Sequence, residues 1–578
     1  MLYAQMDENI SAYRQNQRIF EGLNHNLFVG ENQFYNTGNL TFAHFPVLSP
    51  RPLRGRVRSF ENCHGLHGKD GLMWIEGNTL YHNGQAVGSL STGEKQFVTM
   101  GSRVIIWPDQ VMYETETGRI TPLGASVSLT GATFSLSRID GEEYGSIPAQ
   151  DAAPTSPANG AYWIDTSQTP HELKVYSSSL KTWSAVATTY IKIEHPDLAN
   201  VFSQYDGVSF TGVTNEQFLN AGTDYVIAST GYGWIVVVGI IDENFTEAGE
   251  ITIARRVPEM DFITENGNRL WGCSSKNHEI YSCKLGDPTN WFCYQGIATD
   301  SYAATVGSDG DFTGIASHLG YVLFFKERCI HKLFGTRPAN YQIMEVNARG
   351  VKAGAASTIC QVNETLYYLS PEGIMRYDGS LPEDISHPLG VDSLEGGASG
   401  ALDGKYYVSL KNSEGWGLYL FDEKAGGLWL REDGTRALYM AQDGNELYFV
   451  DEAGALWSEK GTLDPLYCDE NATEEGKISW FCETGDFLMD EPETGYMGRV
   501  QMRCMIPRKG FIRVEAMYDS DGIWRQIETV RETPLRSITV EVVPYKCDHF
   551  RLRLSGEGDV KIYSLARKIE LDRGRDNG

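Results

Sequence analysis

Few groups of residues in this chain have the types and spacing that chemistry requires. Cys63, His64 and His67 could each ligate zinc, but a structural zinc site takes four ligands and no partner cluster is visible. The turn at 308–311 (SDGD) resembles half of a calcium loop and lacks the bidentate glutamate that such a loop needs. The chain has no P-loop, no GxSxG turn and no HExxH helix. The sequence therefore predicts a protein that is not an enzyme, with no metal and no cofactor, although carboxylates distant in sequence could still form a site.

The composition indicates folded domains with an unusual distribution of charge. The 578 residues are 41% hydrophobic and 22% charged, with a formal net charge of −27. Such an acidic chain is a poor candidate for wrapping DNA through phosphate contacts. Residues 499–578 differ from the rest, because they hold 16 Lys and Arg against 12 Asp and Glu, whereas the other 498 residues hold 33 against 64. The basic end could dock on an acidic partner, or it could be an ordinary mixed surface.

The sequence also gives expectations about compartment. No apolar run reaches the ~18 residues that a membrane-spanning helix needs, so we expect no membrane insertion. Residues 1–10 include Asp7 and Glu8 and have no apolar core, so we expect no secretory signal. The ten cysteines contain no CxxC pair, which favours free thiols in a protein made in a reducing cytosol.

One pattern recurs along the chain: a Gly or Asn turn followed by Leu or Tyr beside an aromatic residue. It occurs at 77–81 (GNTLY), 267–271 (GNRLW), 363–367 (NETLY), 403–407 (DGKYY) and 444–448 (GNELY), with a weaker copy at 319–322 (LGYV). From 319 onward the copies are about 40–45 residues apart, which is the period of a four-stranded propeller blade. We therefore predict an all-β fold, a β-propeller of about six or seven blades. Unrelated hairpins in a sandwich are the alternative.

The same pattern assigns structural roles to particular residues. The turn closes a hairpin, and the aromatic residue after it fills the space between blades. The predicted blade anchors are Trp271, Tyr367, Tyr407 and Tyr448, together with Phe324 and Phe325 in a buried strand. Lys326 and Glu327, at the end of that strand, are candidates for a subunit contact.

Breaks in the pattern predict the domain boundaries. Residues 1–55 lack blade spacing and are expected to form an N-terminal arm. Residues 56–124 and 256–461 are assigned to the propeller. Residues 125–255 are an inserted β region, with a small module at 149–190 and a second unit at 190–255. Long alternating strands after 462 predict a C-terminal β-sandwich at 462–578.

Three stretches resemble bacteriophage proteins. The first runs from FEGLN at 20–24 to FPVLSPR at 45–51 and resembles the opening of phage virion proteins. The second, within 321–390, contains YVLFFKERCIHKLFG, GVKAGAAST, ETLYYLSPEGIMRYDG and ISHPLG. It is similar to the core of the phage packaged-DNA stabilisation proteins, the tail-hub or nozzle propellers of short-tailed phages. Residues 160–166 with Trp183 resemble a small module of phage tail proteins.

The resemblance implies a structural virion protein of the tail or neck, made in the host cytoplasm. Its expected partners are other copies of itself in a ring (a hexamer in the nozzle relatives), the adaptor or portal, and a tail fibre or tail tip. A long-tailed phage would also fit. DNA would be only a transported cargo, because acidic groups along a lumen repel phosphates over a Debye length of about 8 Å.

Two other functions are compatible with the sequence. A tail-associated adhesin that reads host glycans would use Trp163 and Trp183 of the inserted module to stack on sugar rings. A glycan-degrading propeller enzyme would use a pair of carboxylates.

Overall fold

The computed structural model describes residues 10–220, 224–390, 392–488 and 494–572. Strands make up 53% of the chain and helices 3%, which confirms the predicted all-β class. The chain divides into two compact units. The first comprises Met1–Glu94, Phe325–Ile330 and Val346–Gly578, and the second comprises Lys95–Phe324 and His331–Glu345. Within the described ranges, no helix has the length and apolar character needed to cross a bilayer.

The N-terminal region contributes strands to three different sheets. Its strands are β1 (Ile10–Gln17), β2 (Phe34–Gly38), β3 (Leu40–Thr41), β4 (Ser49–Pro50) and β5 (Gly55–Ser59). β3 and β4 pair with each other, whereas β1 and β2 join the C-terminal sheet and β5 joins the last blade. The predicted arm at 1–55 is thus, over its described part, a connector between sheets.

The first two blades follow directly, and each is an antiparallel four-stranded sheet in chain order. Blade 1 consists of β6 (Cys63–Gly68), β7 (Leu72–Glu76), β8 (Thr79–His82) and β9 (Gln85–Ser89). Blade 2 consists of β10 (Gln96–Met100), β11 (Arg103–Trp107), β12 (Val111–Glu114) and β13 (Arg119–Pro122).

Residues 125–255 interrupt the series of blades. They form an eight-stranded sheet in the order β14-β25-β21-β22-β23-β20-β15-β24, with a four-stranded module, β16 to β19, between β15 and β20. The strands are β14 (Ala125–Thr130), β15 (Thr133–Ser137), β16 (Ala149–Gln150), β17 (Tyr162–Asp165), β18 (Glu172–Ser177), β19 (Thr182–Ala185), β20 (Tyr190–Glu194), β21 (Gly207–Thr211), β22 (Asp224–Gly231), β23 (Trp234–Val238), β24 (Phe245–Thr246) and β25 (Glu250–Arg255). A helical turn at Pro196–Leu198 and the helix α1 (Glu216–Asn220) lie between strands. Ile164 and Leu173 of the module belong to the core of the larger sheet.

Five further blades follow the insertion. Their strands are β26 (Phe262–Glu265), β27 (Leu270–Ser274), β28 (Glu279–Ser282) and β29 (Tyr302–Thr305) in blade 3; β30 (Gly314–His318), β31 (Tyr321–Phe325), β32 (Ile330–Phe334) and β33 (Gln342–Val346) in blade 4; β34 (Cys360–Val362), β35 (Thr365–Ser370), β36 (Gly373–Tyr377) and β37 (Glu383–Asp384) in blade 5; β38 (Glu395–Leu402), β39 (Lys405–Asn412), β40 (Gly415–Asp422) and β41 (Leu428–Asp433) in blade 6; and β42 (Ala437–Asp443), β43 (Glu446–Asp451) and β44 (Ala455–Ser458) in blade 7. Short 3-10 turns lie at Pro338–Asn340, Ala356–Thr358 and His387–Leu389.

The described residues thus contain seven blades, at the upper end of the predicted number. Blade 7 takes its fourth strand from the N-terminal region, because β5 pairs antiparallel with β44, and the short β45 (Thr473–Glu474) adds to β5. These two segments are about 400 residues apart in sequence. When the first and last parts of a propeller share one blade in this way, fewer strand edges remain unpaired.

The turns explain why the recurring pattern marks blades. Gly267 (φ 63°) and Asn268 (φ 59°) both adopt left-handed backbone conformations, as the tight hairpin between β26 and β27 requires. Asp403 (φ 52°) and Gly404 (φ 74°) do the same between β38 and β39. Residues other than Gly, Asn and Asp rarely take this conformation, which is why the pattern is visible in sequence.

The C-terminal sheet has seven strands. They are β1, β2, β46 (Ser479–Thr484), β47 (Gly495–Tyr518), β48 (Arg525–Glu541), β49 (Phe550–Glu557) and β50 (Lys561–Asp572). The 24-residue β47 pairs with β48 on one side, and on the other side first with β50 and then with β49. Its register shifts between Ile506 and Phe511, and side chains from both halves enter one core. A long strand that changes partner at an irregularity is how sandwich layers turn a corner.

Candidate interaction surface

The outward face of the C-terminal sheet carries a row of arginines. Along β47, Val500, Met502 and Cys504 are buried, so Arg503 between them points outward and is exposed. Arg513, between the buried Ile512 and Val514, is also exposed, as is Arg531 of β48. We call Arg503, Arg513 and Arg531 the basic face.

Short hydroxyl side chains flank two of these arginines. Arg503 lies opposite Ser537 on β48 and Ser564 on β50. Arg513 lies opposite Thr529 on β48 and Ser555 on β49. Cross-strand neighbours are the side chains that normally supply a counter-charge, and here they are neutral and short. The guanidinium groups therefore remain accessible to a partner.

The aromatic ring of Phe511 lies beside two arginines of the basic face. The guanidinium carbons of Arg513 and Arg531 lie 5.9 and 5.8 Å from the centre of the Phe511 ring. Such contacts position a cation without neutralising it. Among the residues that the structure describes, no carboxylate lies within ion-pair distance of Arg503, Arg513 or Arg531.

Some other cations of the same sheet are neutralised within the chain. Arg551 pairs with Asp486 through its Nε at 2.6 Å, and Arg553 pairs with Glu483 at 3.0 Å. The Lys568 ammonium lies 2.6 Å from Glu570, and these two side chains are partly buried. Arg508, Lys509 and Arg536 of the same sheet are also exposed, so the basic face is one part of the exposed positive charge of the sheet.

A buried ion network fastens the N-terminal region to blades 6 and 7. Arg54 precedes β5 and forms ion pairs with Glu432, with Asp433 (2.6 Å) and, through its Nε, with Glu459 (2.7 Å). The side chains of Arg54, Glu432 and Glu459 are 3%, 1% and 3% exposed. Arg51 makes a bidentate contact with Glu475 at 2.7 and 3.1 Å. Buried charges are retained only when they are paired in this way.

Burial and charge shift the pKa values in this network in opposite directions. Burial and the neighbouring Glu459 raise the pKa of Glu432 well above its ordinary range, against the pull of Arg54. Burial would also raise the pKa of Asp433, but Arg54 and the Thr435 hydrogen bonds lower it. The three carboxylates share one guanidinium, so the network depends on Arg54.

The N-terminal region also contacts the last strand of blade 6 and the C-terminal sheet. The Leu23 amide donates to the carbonyl of Trp429 (2.7 Å), and the Leu48 amide donates to that of Ile562 (3.0 Å). Phe20, Phe34 and Leu48 enter the core shared by these elements. The described part of the predicted arm is therefore packed within the first unit.

The predicted blade anchors are all buried side chains. Trp271, Tyr367 and Tyr448 are 2% exposed, Tyr407 is 6% exposed, and Phe324 and Phe325 are fully buried. Within the second unit, Trp271 and Phe324 belong to one core with Val322 and Leu333. Within the first unit, Tyr367 stacks on Tyr406 with ring centres 5.0 Å apart.

The predicted subunit contact at Lys326 and Glu327 is wrong for Lys326. Its side chain is 2% exposed, so it cannot meet another subunit. Its carbonyl lies so close to Gly350 that a Cβ there would stand 1.8 Å from the oxygen. Glu327 is exposed, and its carbonyl and carboxylate accept hydrogen bonds from the amides of Gly350 and Ala353, both at 3.0 Å. These contacts of Lys326 and Glu327 position the loop after blade 4.

For the predicted glycan-stacking pair, the structure speaks against Trp163 and leaves Trp183 a prediction. Trp163 is 5% exposed, its indole Nε1 donates to the Gln150 carbonyl (2.9 Å), and its ring meets Trp183 edge-on at 5.4 Å. Trp183 is half-buried and contacts Tyr176. Trp163 therefore lacks an open face for a sugar ring, because it forms the core of a small module.

The residues that the sequence offered as possible metal ligands do not cluster in the described part of the chain. No cluster of three or more His, Cys, Asp or Glu side chains with metal-binding geometry occurs in the described part of the chain. All ten cysteines lie within the described ranges, where each is a free thiol. A Ser–His contact that the sequence did not suggest joins Ser520 Oγ and His549 Nε2 at 2.8 Å, but Asp548, 3.5 Å from the other ring nitrogen, is 81% exposed. An exposed carboxylate orients histidine weakly.

Comparisons with known proteins give no family. No family model matches the sequence, and no curated protein matches it. The chain is similar in structure to BamB of Moraxella catarrhalis, at 10% identity over 70% of this chain and 93% of that one (TM-score 0.29). It is similar to AztD of Citrobacter koseri at 9% identity over 69% and 90% (TM-score 0.29), and to virginiamycin B lyase of Staphylococcus aureus at 11% over 45% and 81% (TM-score 0.25). The propeller assignment rests on the strand pairing of the chain itself.

Proposed function

We propose that this protein is a structural component of a bacteriophage tail or neck, a nozzle or hub that assembles as a ring with other copies. The observation that carries the proposal is the basic face, a cationic surface without carboxylate partners among the described residues, on a sheet of a strongly acidic chain. An assembly protein needs such a surface, because charge complementarity selects its partner and fixes its register. The sequence resemblance at 321–390 supplies the phage context.

In this proposal the ring retains packaged DNA and lets it pass during ejection. With 76 Asp and Glu against 49 Lys and Arg, the chain can line a lumen with carboxylates. Phosphates would be repelled over about 8 Å at physiological salt, so DNA would slide without binding. The adaptor or portal and a tail fibre or tail tip are the proposed neighbours, and the virion is the proposed location. No reaction is part of this role.

The experiment is a stop codon early in the gene of the phage that encodes this chain. We expect particles that assemble heads but lose their DNA, whereas particles made with the wild-type gene supplied in trans remain full. Electron microscopy and nuclease protection measure the two outcomes. Antibody against the chain should label wild-type particles on the axis, at the head–tail junction or along the tail.

Two results would exclude the proposal. Label on peripheral appendages, with DNA retained by the mutant particles and lost adsorption, would indicate the adhesin. Absence of the chain from purified infectious particles would exclude any virion role. The adhesin has less support, since Trp163 is buried.

A further inference from the structure

We infer that an extended acidic segment of a neighbouring protein adds as a further strand to the free edge of β48, with its carboxylates over the basic face. The inference rests on the proposed function for the presence of a neighbour, and it names how that neighbour binds. Two observations carry it. One is a long strand edge without a partner strand, and the other is a row of arginines beside that edge without carboxylate partners, both among the described residues.

The strand β48 lies at an edge of the C-terminal sheet and is unusually long for that position. It has 17 residues and pairs with β47, and no other strand in the described ranges pairs with it. Strands average about 5–6 residues, and edge strands are usually kept short because their unpaired N–H and C=O groups invite pairing with another chain. β48 contains no lysine, and Pro534 is its one residue without a backbone N–H. The free edge therefore offers backbone donors and acceptors on both sides of Pro534.

The basic face lies directly beside this edge. Arg531 is on β48 itself, whereas Arg503 and Arg513 are one strand further in, on β47. The residues of β48 opposite those two arginines are Ser537 and Thr529. Adjacent strands lie about 4.8 Å apart, so a strand added to β48 would lie about 10 Å from β47. Because serine and threonine side chains are short, they leave room above the sheet for an arginine of β47 and a carboxylate of the added strand to meet.

The chemistry of the basic face determines which side chains the added strand carries. Successive residues of a strand point to opposite faces of the sheet, so alternate residues of the added strand would face the arginines. Acidic side chains at those positions would form charge-assisted hydrogen bonds with the guanidinium groups. In strand addition, backbone pairing gives affinity and the alternate side chains give specificity. The occupant is therefore an extended segment with Asp or Glu at every second position.

An extended acidic segment fits this edge better than duplex DNA does. A duplex has no peptide N–H and C=O groups, so it would leave the edge of β48 unpaired. Glu528 and Glu532 are also exposed on β48, and a line of phosphates along the strand would approach them. A peptide strand can instead present its charges on one face only, the face on which the arginines lie.

The test measures the binding of labelled peptides to the full chain by fluorescence anisotropy. The probe is an acetylated eight-residue peptide of alternating Glu and Thr. The control peptide has the same composition, with four Glu followed by four Thr. We expect the alternating peptide to bind about tenfold more tightly than the block peptide, because only the alternating one places all its carboxylates on one face of a strand.

Backbone methylation separates strand addition from simple charge attraction. Two further peptides keep the alternating sequence and carry N-methyl groups either on all Glu or on all Thr residues. The N–H groups of alternate residues in a strand point to the same edge, so one of these two peptides cannot donate to β48. That peptide should lose at least about tenfold in affinity although its charge is unchanged.

A charge-reversal variant tests the role of the basic face. It carries R503E, R513E and R531E. It should bind the alternating peptide at least about tenfold more weakly than the wild type does, because each contact becomes a like-charge pair. A matched variant reverses three other exposed cations, R119E, K181E and R328E. The matched variant should bind as the wild type does, and circular dichroism and thermal unfolding should be alike for all three proteins.

The outcomes are distinguishable. If the alternating and block peptides bind equally well, or if both methylated peptides keep full affinity, the inference is wrong while the proposed ring stands. If the chain is absent from virions, the proposed function fails whatever the peptides do. If the wild type binds no peptide, a gel shift of duplex DNA or a self-association that the charge-reversal variant loses would assign the basic face to DNA or to a second copy. Either result would overturn the inference.

Discussion

Replacing Arg54 tests how the N-terminal region is fastened to the propeller. Arg54→Met keeps most of the apolar stem and removes the guanidinium. Glu432 and Glu459, 1% and 3% exposed, would then lose their shared partner while remaining close to each other. Breaking a buried pair by removing one member costs about 3–5 kcal/mol. We expect a loss of that size in the free energy that holds β5 in blade 7.

Hydrogen–deuterium exchange of the β5 amides measures this free energy directly. A loss of about 3–5 kcal/mol corresponds to exchange faster by about two to three and a half orders of magnitude, since 1.4 kcal/mol is a factor of ten. Arg56→Met is the matched control, because Arg56 lies on the same strand and its guanidinium donates a hydrogen bond to the exposed Ser59. We expect a change below about 0.5 kcal/mol for the control.

The pH dependence adds an independent check. The pKa of Glu432 is raised by burial and by Glu459, and it rises further when Arg54 is absent. An acid whose folded pKa exceeds its unfolded pKa loses stability as pH rises from the unfolded value through the folded one. The variant should therefore lose stability as pH rises from 5 to 7.5. Equal exchange rates for Arg54→Met and Arg56→Met at pH 7.5 would refute the reasoning.

Three further outcomes follow from the cores and the titratable groups. Trp271→Ala should destabilise the second unit by about 3–5 kcal/mol in urea unfolding, whereas Tyr232→Ala, at an 86% exposed position, should change little. Burial lowers the pKa of His67 to about 4, so the folded state resists protonation. The free energy of unfolding should therefore fall by about 2 kcal/mol as pH is lowered from 7 to 5. His67→Gln should remove this pH dependence, whereas His44→Gln should not. Burial raises the pKa of Cys63 to about 11 and that of Cys360 to about 12, so a thiol reagent at pH 8 should label the native protein slowly and reach ten thiols only in denaturant. Rapid labelling of most thiols without denaturant would contradict the buried packing.

The blades were predictable because their signal is local. A tight hairpin needs left-handed residues, as at Gly267 and Asn268, and the aromatic residue that follows must be buried. Both requirements lie within about five residues, so a sequence pattern records them.

The contacts that join the N-terminal region to blades 6 and 7 were not predictable, because the residues that meet are distant in sequence. β5 pairs with β44 about 400 residues later, and Arg54 meets Glu432 and Glu459. Charged residues at such positions are indistinguishable from surface residues in a single sequence. For the same reason the sequence suggested that Lys326 would be exposed at a subunit contact. Its side chain is instead buried within its own chain.

The sequence predicted the positive charge of the basic face but not which arginines form it. The excess of Lys and Arg at 499–578 was visible, but which of them remain unpaired depends on cross-strand register. The alternation of Val500, Met502 and Cys504 with Gln501 and Arg503 is the one local signal that places an arginine on the outer face. The neutral neighbours Ser537 and Ser564 come from strands that only the fold brings together.

The most direct test of the account is cryo-electron microscopy of the purified, assembled protein. We expect a closed ring of identical copies around an axial channel with net negative charge on its wall. A monomer under all conditions, or a channel lined by net positive charge, would contradict it.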